Sequence, residues 1–192
     1  MFFCRVLYKN IVPMKSTRTR RMPAGRPRPA AAPGPRYGAQ EREILEALER
    51  DGRLSFATLG ERIGLSKSPT WNRVRELAER GLIAGFRAIV DPAAVGLEIH
   101  AFVQITIRSP ASEEFERAVV AHPSVLECYT TAGQADYLLH VLAPNVATLD
   151  TLLRAELSRL PGVEHIATTV GLKTIKARGY VMDCARYEPA QR

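Results

Sequence analysis

Ser68, Asn72 and Arg75 stand at spacing i, i+4, i+7, which is one stripe on a helix if the chain coils there. Side chains of these kinds hydrogen-bond to base edges in the major groove of DNA: Asn pairs with adenine, Arg with guanine and Ser with either. Lys67 at the tip of the stretch and Arg73 on its flank suit phosphates, which fix a protein on the duplex without reading sequence. Ser66, which would cap the helix, Thr70 and Trp71 complete the set of candidate contacts. Trp71 falls on the border of the two faces, where bracing against a neighbouring helix is its favoured role. At about 100° per residue, Thr70 also shares an inward face with Val74, Leu77 and Ala78. The bland reading is an amphipathic hairpin with a solvated face, supported by Glu76 and Glu79, which would repel phosphate. Both lie toward the C-terminal end, whereas a groove-reading helix inserts its N-terminal end first.

A second group lies in Thr131-Ala132-Gly133-Gln134-Ala135-Asp136-Tyr137. A glycine exposes backbone N–H groups that can hold a carboxylate, and a nearby Asp can hold an ammonium, so an α-amino acid offers a match for both. Gly and Asp are equally the ordinary formers of a hairpin turn, and the residues alone favour that plainer role. No Ser/His/Asp, Cys/His or paired-carboxylate arrangement points to catalysis. Cys4, Cys128 and Cys184 are too scattered for a disulfide framework or zinc site and fit a reducing cytoplasm. His100, His122, His140 and His165 lack the spacing of metal ligands on one helix. No metal, cofactor or membrane span is expected.

The elements that must position these residues are legible from periodicity. Ile44, Leu45 and Leu48 give a first helix over Glu41–Arg50, stopped by Asp51-Gly52. Ser55 caps a second, Phe56–Ile63, and Gly64 suits a left-handed turn before the third. Leu65 plugs the core under the turn, and Pro69 falls in the third helix's first turn, where its missing N–H costs little. Ile83–Val90 is β-prone and ends at Asp91-Pro92. Strands follow over Ile99–Arg108, Val125–Thr131, Asp136–Leu142 and Val163–Ile175, with helices over Ser112–Ala121 and Val146–Leu160. Val146, Leu149, Leu153, Leu157 and Leu160 form the inward stripe of the second helix. The order βαββαβ predicts a ferredoxin-like sandwich whose sheet has one face bare of helices, so that two copies can bury those faces together.

The 192 residues carry a net charge of +7, with 46% hydrophobic and 24% charged residues, as in a soluble globular protein. The charge is misplaced for a simple basic-patch argument. Residues 1–38 hold nine Lys/Arg and no acid, leaving eighteen basic against twenty acidic residues elsewhere, a net of −2. That leader is a Pro/Arg-rich stretch expected to be disordered, with translation from Met14 or Met22 and an organellar transit peptide as alternative readings.

Ile44-Leu45, Asp51-Gly52-Arg53, Leu59, Ile63-Gly64-Leu65-Ser66, Arg73-Val74, Leu77, Gly81-Leu82-Ile83, Gly85-Phe86, Asp91-Pro92 and Gly96-Leu97 together resemble the leucine-responsive/asparagine regulator (Lrp/AsnC) family of transcription factors. The resemblance has few gaps over residues 40–176. It departs where Tyr37, Gly38 and Glu41 replace that family's usual Leu-Asp pair and further Asp. It implies an α+β protein: a helix-turn-helix (winged-helix-like) domain over 39–82, a hinge strand and linker over 83–97, a ferredoxin-like effector-binding and oligomerisation domain over 98–178, and a C-terminal tail over 179–192. The hinge strand would pair with its counterpart in a second subunit. Gly133 and Asp136 match the family's Gly-x-x-Asp effector loop, which makes Gly133, Gln134, Asp136 and Tyr137 the candidate effector contacts; Thr168, Thr169 and the Leu160–Val163 turn are structural. The implied function is a sequence-specific regulator that binds pseudo-palindromic double-stranded DNA as a dimer or higher assembly, responds to a small amino acid, and works on the nucleoid of a bacterial or archaeal cytoplasm. Sirohaem decarboxylases resemble the same two-domain arrangement and are the alternative, with His100, His140 and Arg108 recruited for tetrapyrrole chemistry. The intact helix tip and the Gly-x-x-Asp loop favour the regulator.

Overall fold

Apolar residues at helical spacing fold the first part of the chain into α1 (Ala39–Arg50), α2 (Phe56–Ile63) and α3 (Lys67–Glu79). The computed structural model describes residues 37–108, 111–177 and 179–187, so the basic leader lies outside the described residues except for Tyr37 and Gly38. Gly38 takes the cap position of α1, and its N–H donates to the Glu41 carboxylate at 3.0 Å. Glu41 thus supplies half of a capping box, the half that glycine needs no side chain to receive. The Ser55 hydroxyl caps α2 by accepting from the Thr58 N–H at 3.0 Å. Gly64 ends α2 at φ 71°, a left-handed backbone that glycine adopts at little cost. Ile44, Leu45, Leu48, Leu59, Ile63, Val74 and Leu77 are the buried core of this head, with Leu82, Ile83 and Phe86 packed against it. The head therefore extends past residue 82, to Arg87.

From Ile99 the period changes to that of strands. β1 (Ile99–Ile107), α4 (Ser112–Ala121), β2 (Val125–Thr130) and β3 (Tyr137–Ala143) are followed by α5 (Val146–Thr151), which continues as a π-helical Leu152–Glu156 and a 3-10 turn Leu157–Arg159, and then by β4 (Val163–Gly171). The sheet order is β2-β3-β1-β4, with every pairing antiparallel. This is the expected βαββαβ sandwich. Ala101, Val103 and Ile105 of β1 and Tyr137, Leu139, Val141 and Ala143 of β3 bury one face against Phe115 and Val119 of α4 and Leu149, Leu152 and Leu157. The α5 stripe differs from the simple helical expectation: Val146 is exposed, Leu153 and Leu160 are partly buried, and Leu152 is in the core. Winding the ladder to i→i+5 over Leu152–Glu156 changes which side chains face the sheet. β4 stops at Gly171, where its pairing with β1 ends opposite His100, rather than continuing to Ile175.

Two further expectations are corrected. Residues 84–91 carry no strand. A strand needs a second row of N–H and C=O groups, and among the described residues no segment supplies one, which leaves Ile89 and Val90 exposed. The segment expected to be a C-terminal tail instead joins the head, where α6 (Val181–Arg186) packs on α1. Met182 enters the head's core. The Glu49 carboxylate accepts from the N–H groups of Val181 and Met182 at 2.6 and 2.9 Å, which caps α6 from the side of α1. Arg50 pairs with Asp183 at 3.1 Å and lies over the Tyr180 ring, and Arg186 pairs with Glu46 at 3.4 Å.

Candidate DNA-reading helix and effector loop

The turn between α2 and α3 is closed by an absence of side chain. A Cβ on Gly60 would collide with the Leu65 carbonyl oxygen and the Thr70 hydroxyl. With hydrogen there, the Leu65 N–H reaches the Gly60 carbonyl at 2.9 Å, and Thr70 Oγ1 donates to the Ser66 carbonyl at 2.9 Å. Thr70 is fully buried. It cannot reach a base, so its place among the candidate contacts is withdrawn and its role is to brace the turn. Ser66 holds the cap position of α3, but its side chain makes no capping hydrogen bond. Val74 and Leu77 face the core as expected, whereas Ala78 is exposed, so the inward face is narrower than its periodicity suggests. Lys67, Ser68, Asn72, Arg73 and Arg75 are exposed, which leaves the polar stripe available to a groove.

Two charged pairs lie on that helix. Arg73 Nη1 stands 3.3 Å from the Glu76 carboxylate, and Arg75 Nε 3.5 Å from that of Glu79. The Arg75 guanidinium also lies over the Trp71 ring, 4.8 Å from its centroid. Trp71 is half-buried and supports the Arg75 guanidinium from one side. At the far end of α3, Arg80 pairs with Glu41 of α1 at 2.5 Å. The Gly38 N–H and then this guanidinium hold the Glu41 carboxyl below its ordinary range. Residues 37–87 carry nine Lys/Arg and eight Asp/Glu, a net of +1, so the surface is not broadly basic. Gly60, the pairing of Glu79 with Arg75 and the α1–α6 contacts escaped the sequence reading, although Trp71, Arg75 and Glu79 recur every four residues.

The loop between β2 and β3 is tied at its base. The Thr131 N–H donates to the Asp136 carbonyl at 2.8 Å and the Thr131 hydroxyl to the Ala135 carbonyl at 2.5 Å. The Asp136 carboxylate accepts from the Ile107 N–H at 2.9 Å, which latches the loop to the end of β1. Gly133 and Gln134 are exposed at the tip. Gly133 does not adopt a left-handed conformation, and a Cβ there would meet nothing within 4 Å. Nothing among the described residues requires glycine at that position. Tyr137 is a different case. Strand alternation turns it into the core, its ring 4.6 Å from that of Phe115 and its hydroxyl donating to Glu116 at 2.9 Å. Burial and then Glu116 push its phenol up to about 12. It is a core residue rather than an exposed effector contact.

On the bare sheet face, His100 Nδ1 and His140 Nε2 stand 3.2 Å apart, with Phe102 stacked on His140. Arg108 does not join them. It pairs with Glu164 at 2.8 Å, and lies about 26 Å from His100 along the extended chain. Among the described residues no group of three or more His, Cys, Asp or Glu could hold a metal, and no helix is long and apolar enough to cross a membrane.

A three-helix head with an exposed polar reading helix, joined to a ferredoxin-like sandwich, defines a two-domain DNA-binding regulator. Comparison with known proteins gives the same result. Residues 39–84 match the winged helix-turn-helix DNA-binding model and residues 100–181 the Lrp/AsnC ligand binding domain. The chain is 39% identical over 140 residues to the proline dehydrogenase transcriptional activator of Rhizobium radiobacter, covering 71% of this chain and 90% of that one. It is 36% identical over 147 residues to the leucine-responsive regulatory protein of Escherichia coli, covering 75% and 90%. A transcriptional regulator of Neisseria meningitidis, solved in complex with L-methionine, superposes with a TM-score of 0.72 at 30% identity, covering 75% of this chain and 95% of that one. This protein belongs to the Lrp/AsnC family of transcriptional regulators.

Proposed function

We propose that this regulator reads DNA through Ser68, Asn72 and Arg75, acts as a dimer or assembly of dimers, and is controlled by a small amino acid at the Gly133–Asp136 loop. The carrying observation is the exposed stripe on α3 above a helix face that buries Val74 and Leu77. Lys67 and Arg73 supply phosphate contacts that set register. With a net charge of +1, one head has little non-specific attraction for DNA, so two heads on a pseudo-palindromic site supply the affinity. Pairing of the bare sheet faces and of the extended residues 84–90 with those of a second copy brings the heads together. The amino-acid class is supported by the L-methionine complex of the Neisseria relative and by a glycine that nothing among the described residues demands. The cytoplasmic nucleoid is where such a protein works.

A paired experiment tests both sites. Arg75→Ala weakens binding to a duplex selected by the wild-type protein by about tenfold or more while changing random-sequence binding little. Asp136→Ala removes the effect of L-leucine or L-methionine on sedimentation while sparing DNA binding at low salt. Equal losses on both duplexes would make Arg75 a phosphate contact, and an unchanged amino-acid response in Asp136→Ala would move the effector site elsewhere.

A further inference from the structure

Trp71, Arg75 and Glu79 occupy successive turns of α3 and form a single column. The guanidinium in the middle is held from both sides, 4.8 Å from the Trp71 ring centroid and 3.5 Å from the Glu79 carboxylate. As a device for stabilising a helix, this column is badly arranged. An acid C-terminal to its basic partner is the weaker orientation of an i,i+4 pair, and Glu79 is the last residue of α3, where the helix dipole disfavours negative charge. A carboxylate on a DNA-reading helix also repels phosphate.

We infer that Trp71 and Glu79 set the selectivity of α3: the Trp71 ring positions the Arg75 guanidinium, and Glu79 holds it until a base edge takes it over. This rests on the reading of Arg75 as a base contact. The side chains of Arg75 and Glu79 are 51% and 66% exposed, so their ion pair amounts to about fivefold at most. A bidentate contact with guanine discriminates by about five- to a hundredfold and displaces the carboxylate readily. A lone phosphate offers Arg75 no such gain. A complex that engages the base must break the pair, whereas a non-specific complex leaves it intact, so the acid weakens specific binding more than non-specific binding. Trp71 contributes pre-organisation: a guanidinium already lying on a ring has less side-chain freedom to lose on docking.

The full-length protein and its variants are titrated against two duplexes of equal length, one enriched by the wild-type protein from a random pool and one of random sequence. Glu79→Gln is expected to tighten enriched-duplex binding about three- to fivefold and random-sequence binding less than twofold, so the specificity ratio rises. Trp71→Leu is expected to lose about tenfold on the enriched duplex, and Trp71→Phe, which keeps a ring, to recover most of that loss. Equal tightening on both duplexes, or none, in Glu79→Gln would overturn the role of the acid. Equal losses in Trp71→Leu and Trp71→Phe would reduce Trp71 to packing. If Arg75→Ala binds the enriched duplex like wild type, the base-reading assignment itself fails, and this inference falls with it.

Discussion

Gly60 shows how a single missing methyl group shapes the reading head. Replacing a helical glycine by alanine normally stabilises a helix by about 1 kcal/mol. Here the added Cβ would press on the Leu65 carbonyl and the Thr70 hydroxyl, which together close the turn before α3. Gly60→Ala is therefore expected to destabilise the head by about 1–3 kcal/mol in urea unfolding and to weaken specific DNA binding. A gain in stability would mean that the turn relaxes around the methyl group. Gly64 was legible in the sequence because a glycine between two helices signals a left-handed turn. Gly60 was not, because within Phe56–Ile63 it looks like an ordinary small residue, and its constraint comes from a carbonyl five positions away. Thr70 carried two readings, polar contact and inward face, and burial selects the second. Tyr137 next to Asp136 resembled a ligand contact, yet period-two alternation through Leu139 and Val141 already aimed it at the core.

At the scale of elements, α1 is held by two partners, the ion pair between Glu41 and Arg80 at the end of α3 and the docking of α6. Six residues are too few to form a stable helix alone, so α6 depends on Met182 in the core and on the Glu49 cap. Met182→Ala should lower the stability of the head by about 2–3 kcal/mol while leaving the sandwich untouched. Amide hydrogen exchange would show this as lost protection across α1 with unchanged protection in β1 and β3; unchanged exchange in α1 would make α6 an ornament. The helices, strand order and turn were legible because long periodic stretches dominate local choice. α6 was not, since one methionine in a short polar segment gives no period. The ladder change inside α5 was hidden because Leu149, Leu152, Leu153 and Leu157 satisfy two windings. The expected hinge strand over Ile83–Val90 has β-prone residues but no partner among the described residues, and propensity cannot supply one.

For the molecule as a whole, the bare face of the sheet carries a proton-sensitive histidine. Burial and the neighbouring His100 hold the His140 imidazole below its ordinary value of 6.5, with Glu127 opposing them. The unfolded chain takes up a proton near that ordinary value, while the folded one resists until lower pH. The stability linked to His140 is therefore fully present above about 6.5 and lost as pH falls below it, through the folded value. Thermal unfolding of the sandwich should shift downward between about pH 7 and about pH 5, and His140→Gln should flatten that dependence. A wild-type profile as flat as the variant's would show that His140 titrates normally. If two such faces pair in the dimer, sedimentation should show the same dependence more steeply. Two units were readable from the change of period near residue 95, but not that the first is assembled from both sides of the second. Residues 37–87 and 179–187 make one head, and the whole sandwich is threaded between them. On the ribosome the helix-turn-helix emerges before the sandwich but lacks α6 until every strand of the sandwich has been synthesised. A nascent chain therefore carries an unfinished reader, and the head is completed only after the part that would sense the amino acid has been made.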